Sequence, residues 1–82
     1  MQNAKVLTNL FITKDSFHAT LLLSNEQTLD SFYWEGMVCF FVFEDEATCQ
    51  KIIKNHLEGK LKISSRALEE AQRTIRNILR YR

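Results

Sequence analysis

Two aromatic-rich runs, residues 28–34 and 37–43, flank the dipeptide Glu35-Gly36 and between them hold Phe32, Tyr33, Trp34, Phe40, Phe41 and Phe43. Aromatic and β-branched residues concentrated in runs of this length fit strands, and a two-residue loop containing glycine fits a tight hairpin turn. With Glu35 and Gly36 as the turn, Trp34 pairs with Met37, and the alternation of side chains is set along both strands. One face then carries Leu29, Ser31, Tyr33, Val38, Phe40 and Val42. The other carries Asp30, Phe32, Trp34, Met37, Cys39, Phe41 and Phe43. An antiparallel sheet covered on one side alternates apolar with polar residues, and this hairpin does not.

That double apolarity has an energetic consequence. Leaving a large apolar side chain in water forgoes roughly 1.5–3 kcal/mol. Four such residues would cancel about the whole stability of a domain this small, roughly 5–10 kcal/mol. The second face is therefore expected to be covered. The candidates are the N-terminal segment with a third helix, a second copy of the chain, or bases stacking on Phe32, Trp34 and Phe41.

The flanks of the hairpin read mainly as helices. Leu10, Phe11 and Ile12 suggest a short first strand. Thr13 or Asp15 then caps a helix carrying Phe17, Thr20 and Leu21, which Asn25 is placed to close in a left-handed conformation. Asp45 caps a second helix with Cys49, Ile52, Ile53, His56 and Leu57 on one face, and Gly59 ends it. Residues 60–63 form a short connector with Leu61 and Ile63 alternating inward. Ser64 or Ser65 caps the last helix, whose apolar stripe is Ala67, Leu68, Ala71, Ile75, Ile78 and Leu79. The expected fold is α+β: a short antiparallel hairpin sheet packed against helices, in the order (β)-α-β-β-α-α.

The 82 residues leave room for one domain, 1–82, and the absence of proline with only two glycines argues against a linker-rich or disordered chain. No apolar run approaches the roughly 18 residues of a membrane span, and none resembles a signal peptide. A cytoplasmic protein without a membrane association is the expectation. Cys39 and Cys49 are too few for a secreted disulfide scaffold and read as small buried hydrophobes.

Net charge is +1, but it is unevenly spread. Residues 1–46 hold two lysines against seven acids, net −5; residues 47–82 hold nine bases against three acids, net +6. Every arginine lies at or beyond position 66. On a helical wheel with Leu68 at zero, the apolar stripe spans about 260° to 20°, whereas Arg76, Arg80, Arg73 and Arg66 fall at about 80°, 120°, 140° and 160°. Four arginines thus share one face along roughly 21 Å of helix. Guanidinium groups in a row suit an anionic backbone, because each presents a planar fork of donors to a phosphate. The plain alternative is a solvated face, with Glu69 pairing with Arg73 and Arg66. Lys51 and Lys54 on the preceding helix extend the basic patch if the two helices lie side by side.

Catalytic chemistry has little foothold. There is no glycine-rich phosphate loop, nucleophile elbow or H-E-x-x-H. Cys39, Cys49, His18 and His56 are four zinc-ligand types, but no pair has ligand spacing. Within Glu44-Asp45-Glu46, Asp45 is better used as a helix cap, with Glu46 favouring the N-terminal dipole. A non-enzymatic protein without cofactor, metal or small-molecule substrate is expected.

Phe11-Ile12-Thr13-Lys14-Asp15, the hairpin ending Phe41-Val42-Phe43-Glu44-Asp45, the Glu58-Gly59 helix end and Glu70-Ala71-Gln72-Arg73 together carry a resemblance over about residues 11–80. The chain resembles a short prokaryotic family of unknown function, family 5659, found in bacterial, phage and mobile-element sequences. That family has a glycine near the end of the first helix where this chain has Asn25, and a less basic last helix. The resemblance implies a prokaryotic or phage origin and a non-enzymatic role, and it brings no functional residues.

Two readings follow. The first is a small nucleic-acid-associated module using Arg66, Arg73, Arg76 and Arg80, with Lys51 and Lys54, on phosphates. The second is a protein–protein module, either a homodimeric adaptor or a phage-type inhibitor of a host machine, using Phe32, Trp34, Met37 and Phe41 of the hairpin.

Overall fold

The structure, a computed structural model, describes residues 9–81. It contains β1 (Phe11–Thr13), α1 (Ser16–Ser24), β2 (Leu29–Glu35), β3 (Val38–Phe43), α2 (Glu46–Leu57) and α3 (Ser65–Leu79). The fold is α+β, and its element order is the expected one. All strand pairings are antiparallel, in the order β1-β3-β2, so β3 is central and the short first strand becomes an edge. Leu10 lies just outside that strand and is exposed.

The hairpin turn is shifted by one residue from its expected position. Glu35 pairs with Val38 and Trp34 with Cys39, so Gly36 and Met37 form the loop. Gly36 has φ 64°, and Met37 has no positive φ. That residue order suits a turn needing left-handed backbone at its first central position, where glycine pays no Cβ penalty. Moving the turn by one residue changes the pairing register by two, so almost every side chain keeps its expected face. Two exceptions follow: Met37 leaves the sheet for the turn, and an irregularity between Leu29 and Ser31 puts Leu29 opposite Phe43.

All three helices contribute to covering one face of the sheet. Cys39, Phe41 and Phe43 are buried there with Ala19 and Leu22 of α1, Cys49 and Ile52 of α2, and Ile75 and Ile78 of α3. Phe11, Leu29, Trp34 and Leu61 close the margins of this core. α1 packs against both α2 and α3, so the last two helices rest on α1 rather than on each other. Its position follows from its composition: Ala19, Thr20, Leu21 and Leu22 are consecutive and all buried, as expected of a helix held on several sides.

The helix ends follow capping chemistry. Asp15 accepts the backbone N–H groups of Phe17 and His18 at 2.9 and 3.0 Å, which makes it the cap of α1. Ser64 accepts from Ala67 N at 3.1 Å at the start of α3. At the end of α2, Gly59 (φ 75°) donates to His56 O and Lys60 donates to Asn55 O, a Schellman motif with glycine at the expected place. The end of α1 differs from expectation. Asn25 has φ −104°, and the left-handed residue is the next one, Glu26 (φ 66°). Glu26 N donates to Leu23 O and Gln27 N to Leu22 O, while the Asn25 side chain caps Leu21 O at 2.9 Å.

Candidate nucleic-acid interface

α3 is the most strongly two-faced element of the fold. Ala71, Ile75 and Ile78 are buried, Ala67 and Leu68 are partly so, and Leu79 is exposed at the edge of the stripe. Arg66, Arg73, Arg76 and Arg80 are all exposed on the far side. Their environments are not equal. Arg66 Nε lies 3.7 Å from Glu70 Oε2, one turn along, and Glu69 follows on the same side. The expected pairing of Glu69 with Arg66 and Arg73 is replaced by this single contact. An ion pair so exposed contributes little to stability, but it places the Glu70 carboxylate beside Arg66.

The C-terminal half of the helix is different. Residues 71–81 contain Arg73, Arg76 and Arg80 and no acid. None of the three arginines forms an ion pair among the described residues. At 1.5 Å per residue they span about 10 Å of the helix axis. Asn77 and the exposed Tyr81 flank them.

Lys51 and Lys54 are exposed on α2 but do not extend this stripe, because α1 is the helix packed against α3. The condition on which they joined the patch, helices side by side, is not met. The reason is the apolar character of α1, which occupies the central helix position.

The hairpin residues separate as well. Phe41 is fully buried beneath the helices, so it belongs to the core and cannot meet a partner. Trp34 is on the same covered face and partly buried. Phe32 shares that face near the β2 edge and is 39% exposed, while Met37 projects from the turn at 72%. Among the described residues no helix packs on the opposite face, which carries Ile12, Ser31, Tyr33, Val38, Phe40 and Val42. Ile12, Tyr33 and Val38 are exposed there, Phe40 is partly buried and Val42 is buried. The Tyr33 and Phe40 rings stack across the strands at 5.2 Å and 10°. Ile12 and the Tyr33–Phe40 pair are functional candidates that the sequence reading left out, although the missing polar alternation in the hairpin was their signal.

His18 and His56 approach with ring centres 6.3 Å apart, Phe17 packs edge-on against His56, and His18 Nδ1 lies 3.7 Å from the Asp15 carboxylate. Cys39 and Cys49 are buried free thiols. Burial raises the Cys39 pKa. Burial, and then the nearby Asp45 and Glu46 charges, raise that of Cys49 to about 11. A thiol held neutral in this way is a poor nucleophile. Among the described residues no group of three or more histidines, cysteines or acids is placed to hold a metal ion. A cleft of about 320 Å³ between the end of α1 and the start of α3 is lined by Leu23, Ser24, Glu26, Ala67, Glu70, Ala71 and Thr74. Among the described residues no helix is long and apolar enough to cross a membrane.

No protein-family model, curated protein or solved structure matches the chain.

Proposed function

We propose that this protein is a non-enzymatic nucleic-acid-associated module that contacts phosphates through the C-terminal half of α3. One observation carries the reading: Arg73, Arg76 and Arg80 are exposed, free of ion pairs among the described residues, and opposite the buried Ala71, Ile75 and Ile78. Packing does not account for them. Guanidinium groups are always charged and weakly hydrated, and they bind phosphate oxygens in a forked geometry. Arg66 is a weaker member, since its guanidinium is already paired with the Glu70 carboxylate. Binding of this kind is electrostatic and releases counterions, so it weakens steeply with salt. The test is fluorescence anisotropy with labelled duplex and single-stranded oligonucleotides at 50 mM salt. The reading expects binding that the double variant Arg73→Ala/Arg76→Ala abolishes. Failure of both oligonucleotides to bind the folded protein would overturn it.

A second reading has its own observation, the exposure of Ile12, Tyr33 and Val38 on the sheet face away from the helices. A second copy of the chain, or a host protein in the phage-inhibitor version, would cover it. Strand spacing and rise give this face a footprint of about 300 Å². A stable complex buries roughly 800 Å² per partner. The face alone therefore supports a weak contact. Light scattering at millimolar concentration, compared with Tyr33→Ser, measures it.

A further inference from the structure

We infer that the arginine site is built for duplex nucleic acid, read through its backbone, rather than for a single strand. The inference rests on the phosphate-binding reading above and sharpens its target. Single-strand binders combine a basic track with aromatic side chains on which successive bases stack. Here the stacked aromatic pair and the arginines are on different layers of the molecule, and the exposed Phe17 of the helix layer packs edge-on against His56 of α2. The stacked Tyr33–Phe40 pair is on the sheet face away from the helices, whereas Arg73, Arg76 and Arg80 face outward from the helix layer. Asp30 and Glu35 are exposed on β2, so the strand bearing Tyr33 carries negative charge rather than a phosphate track. Beside the arginines the only aromatic residue on or just after α3 is Tyr81. One ring does not make a stacking platform.

A site without stacking has only charge to work with, and charge favours the denser polyanion. Duplex DNA carries one charge per about 1.7 Å of axis, and its counterion-release slope is about −0.9 per neutralised phosphate, against about −0.7 for single strands. Three arginines then give a slope near −2.7 for duplex, or a loss of about 40-fold between 50 and 200 mM salt. With electrostatics as the only difference, so that the two forms bind equally when extrapolated to 1 M salt, the slopes make duplex about sixfold tighter at 50 mM, narrowing to about threefold at 200 mM. A helix also holds its three guanidinium groups in a fixed row, which suits a stiff row of phosphates and saves the cost of ordering a flexible chain.

The experiment is an anisotropy titration of the full chain with a 24-base-pair duplex and with each of its separated strands, over a salt series from 50 to 200 mM. The expected result is duplex preference of about sixfold at the lowest salt. Duplexes of unrelated sequence should bind within about twofold of one another, because phosphate contacts carry no sequence information. Arg76→Ala should lower the duplex slope by about 0.9, and Tyr33→Ala should leave both affinities unchanged. Equal or tighter binding of the single strand, especially if lost in Tyr33→Ala, would overturn the inference while leaving the phosphate reading standing. Absence of binding to either form would remove both. Circular dichroism of each variant confirms that the comparison is made on folded protein.

Discussion

Glu26 closes α1 with the same left-handed turn that Gly59 uses to close α2. The two residues have φ 66° and 75° and sit at equivalent places in two Schellman motifs, each followed by a backbone bond spanning six residues. Gly59 adopts this conformation without a Cβ penalty, and a Cβ built on it would meet nothing within 4 Å. Glu26 carries the penalty and also places a carboxylate at the negative end of a helix dipole.

Glu26→Gly is therefore expected to stabilise the protein, by about 1 kcal/mol after the added freedom of the unfolded chain is deducted. For a domain of this size that raises the thermal midpoint by roughly 4–8 °C. A calorimetric comparison with the parent checks it, and an unchanged or lower midpoint would show that the left-handed residue is not strained.

Asp45 combines two demands. It caps α2 by accepting from Thr48 N at 3.2 Å and Thr48 Oγ1 at 2.7 Å, and it does so at φ 63°. Asn satisfies both, since it caps well and tolerates left-handed backbone. Asp45→Asn is expected to cost under about 0.5 kcal/mol, and Asp45→Ala about 2 kcal/mol, from cap and backbone together. Urea denaturation distinguishes them.

Phe41 and Met37 were grouped as hairpin residues by sequence, but they differ in burial from 0% to 72% exposed. Phe41→Ala is expected to cost about 3–5 kcal/mol through lost burial and the cavity left behind. Met37→Ala should fall within about 0.5 kcal/mol of the parent. Denaturant midpoints of the two variants test the assignment of the core face.

Cys49 links stability to alkaline pH. The fold raises its pKa from 9.0 to about 11, so the folded state favours the neutral thiol. Above pH 9 the unfolded chain ionises this thiol first and gains stability relative to the fold. The contribution is complete below pH 9 and declines as pH rises towards 11. The stability difference between parent and Cys49→Ala is expected to shrink across that window, as measured by urea titration at stepped pH. A difference that stays constant would place the thiol in contact with water.

Legibility differed by element. α3 could be read residue by residue, because Ala71, Ile75 and Ile78 recur at helical spacing and the arginines occupy the complementary angles. Gly59 was legible for a similar reason, since left-handed closure after an amphipathic helix is a local event. The hairpin was legible in kind but not in detail. Glu35-Gly36 and Gly36-Met37 both contain the glycine, and only the pairing of Trp34 with Cys39 and Phe32 with Phe41 decides between them. The shift from Asn25 to Glu26 was similarly hidden, because one further helical residue moves the left-handed position onto a residue type that does not advertise it.

The sequence by itself determined the order of elements, the opposition of core and arginine faces on α3, and the concentration of positive charge there. These are consequences of local periodicity and of residue type. Tertiary structure alone decided which apolar hairpin face the helices cover, and that α1 sits between Lys51 and Lys54 on one side and the arginines on the other. The hairpin faces are both apolar, so transfer energy ranks them nearly alike. The choice rests on which side the helices fill with Ala19, Leu22, Ile75 and Ile78, and that is a property of packing across the whole chain.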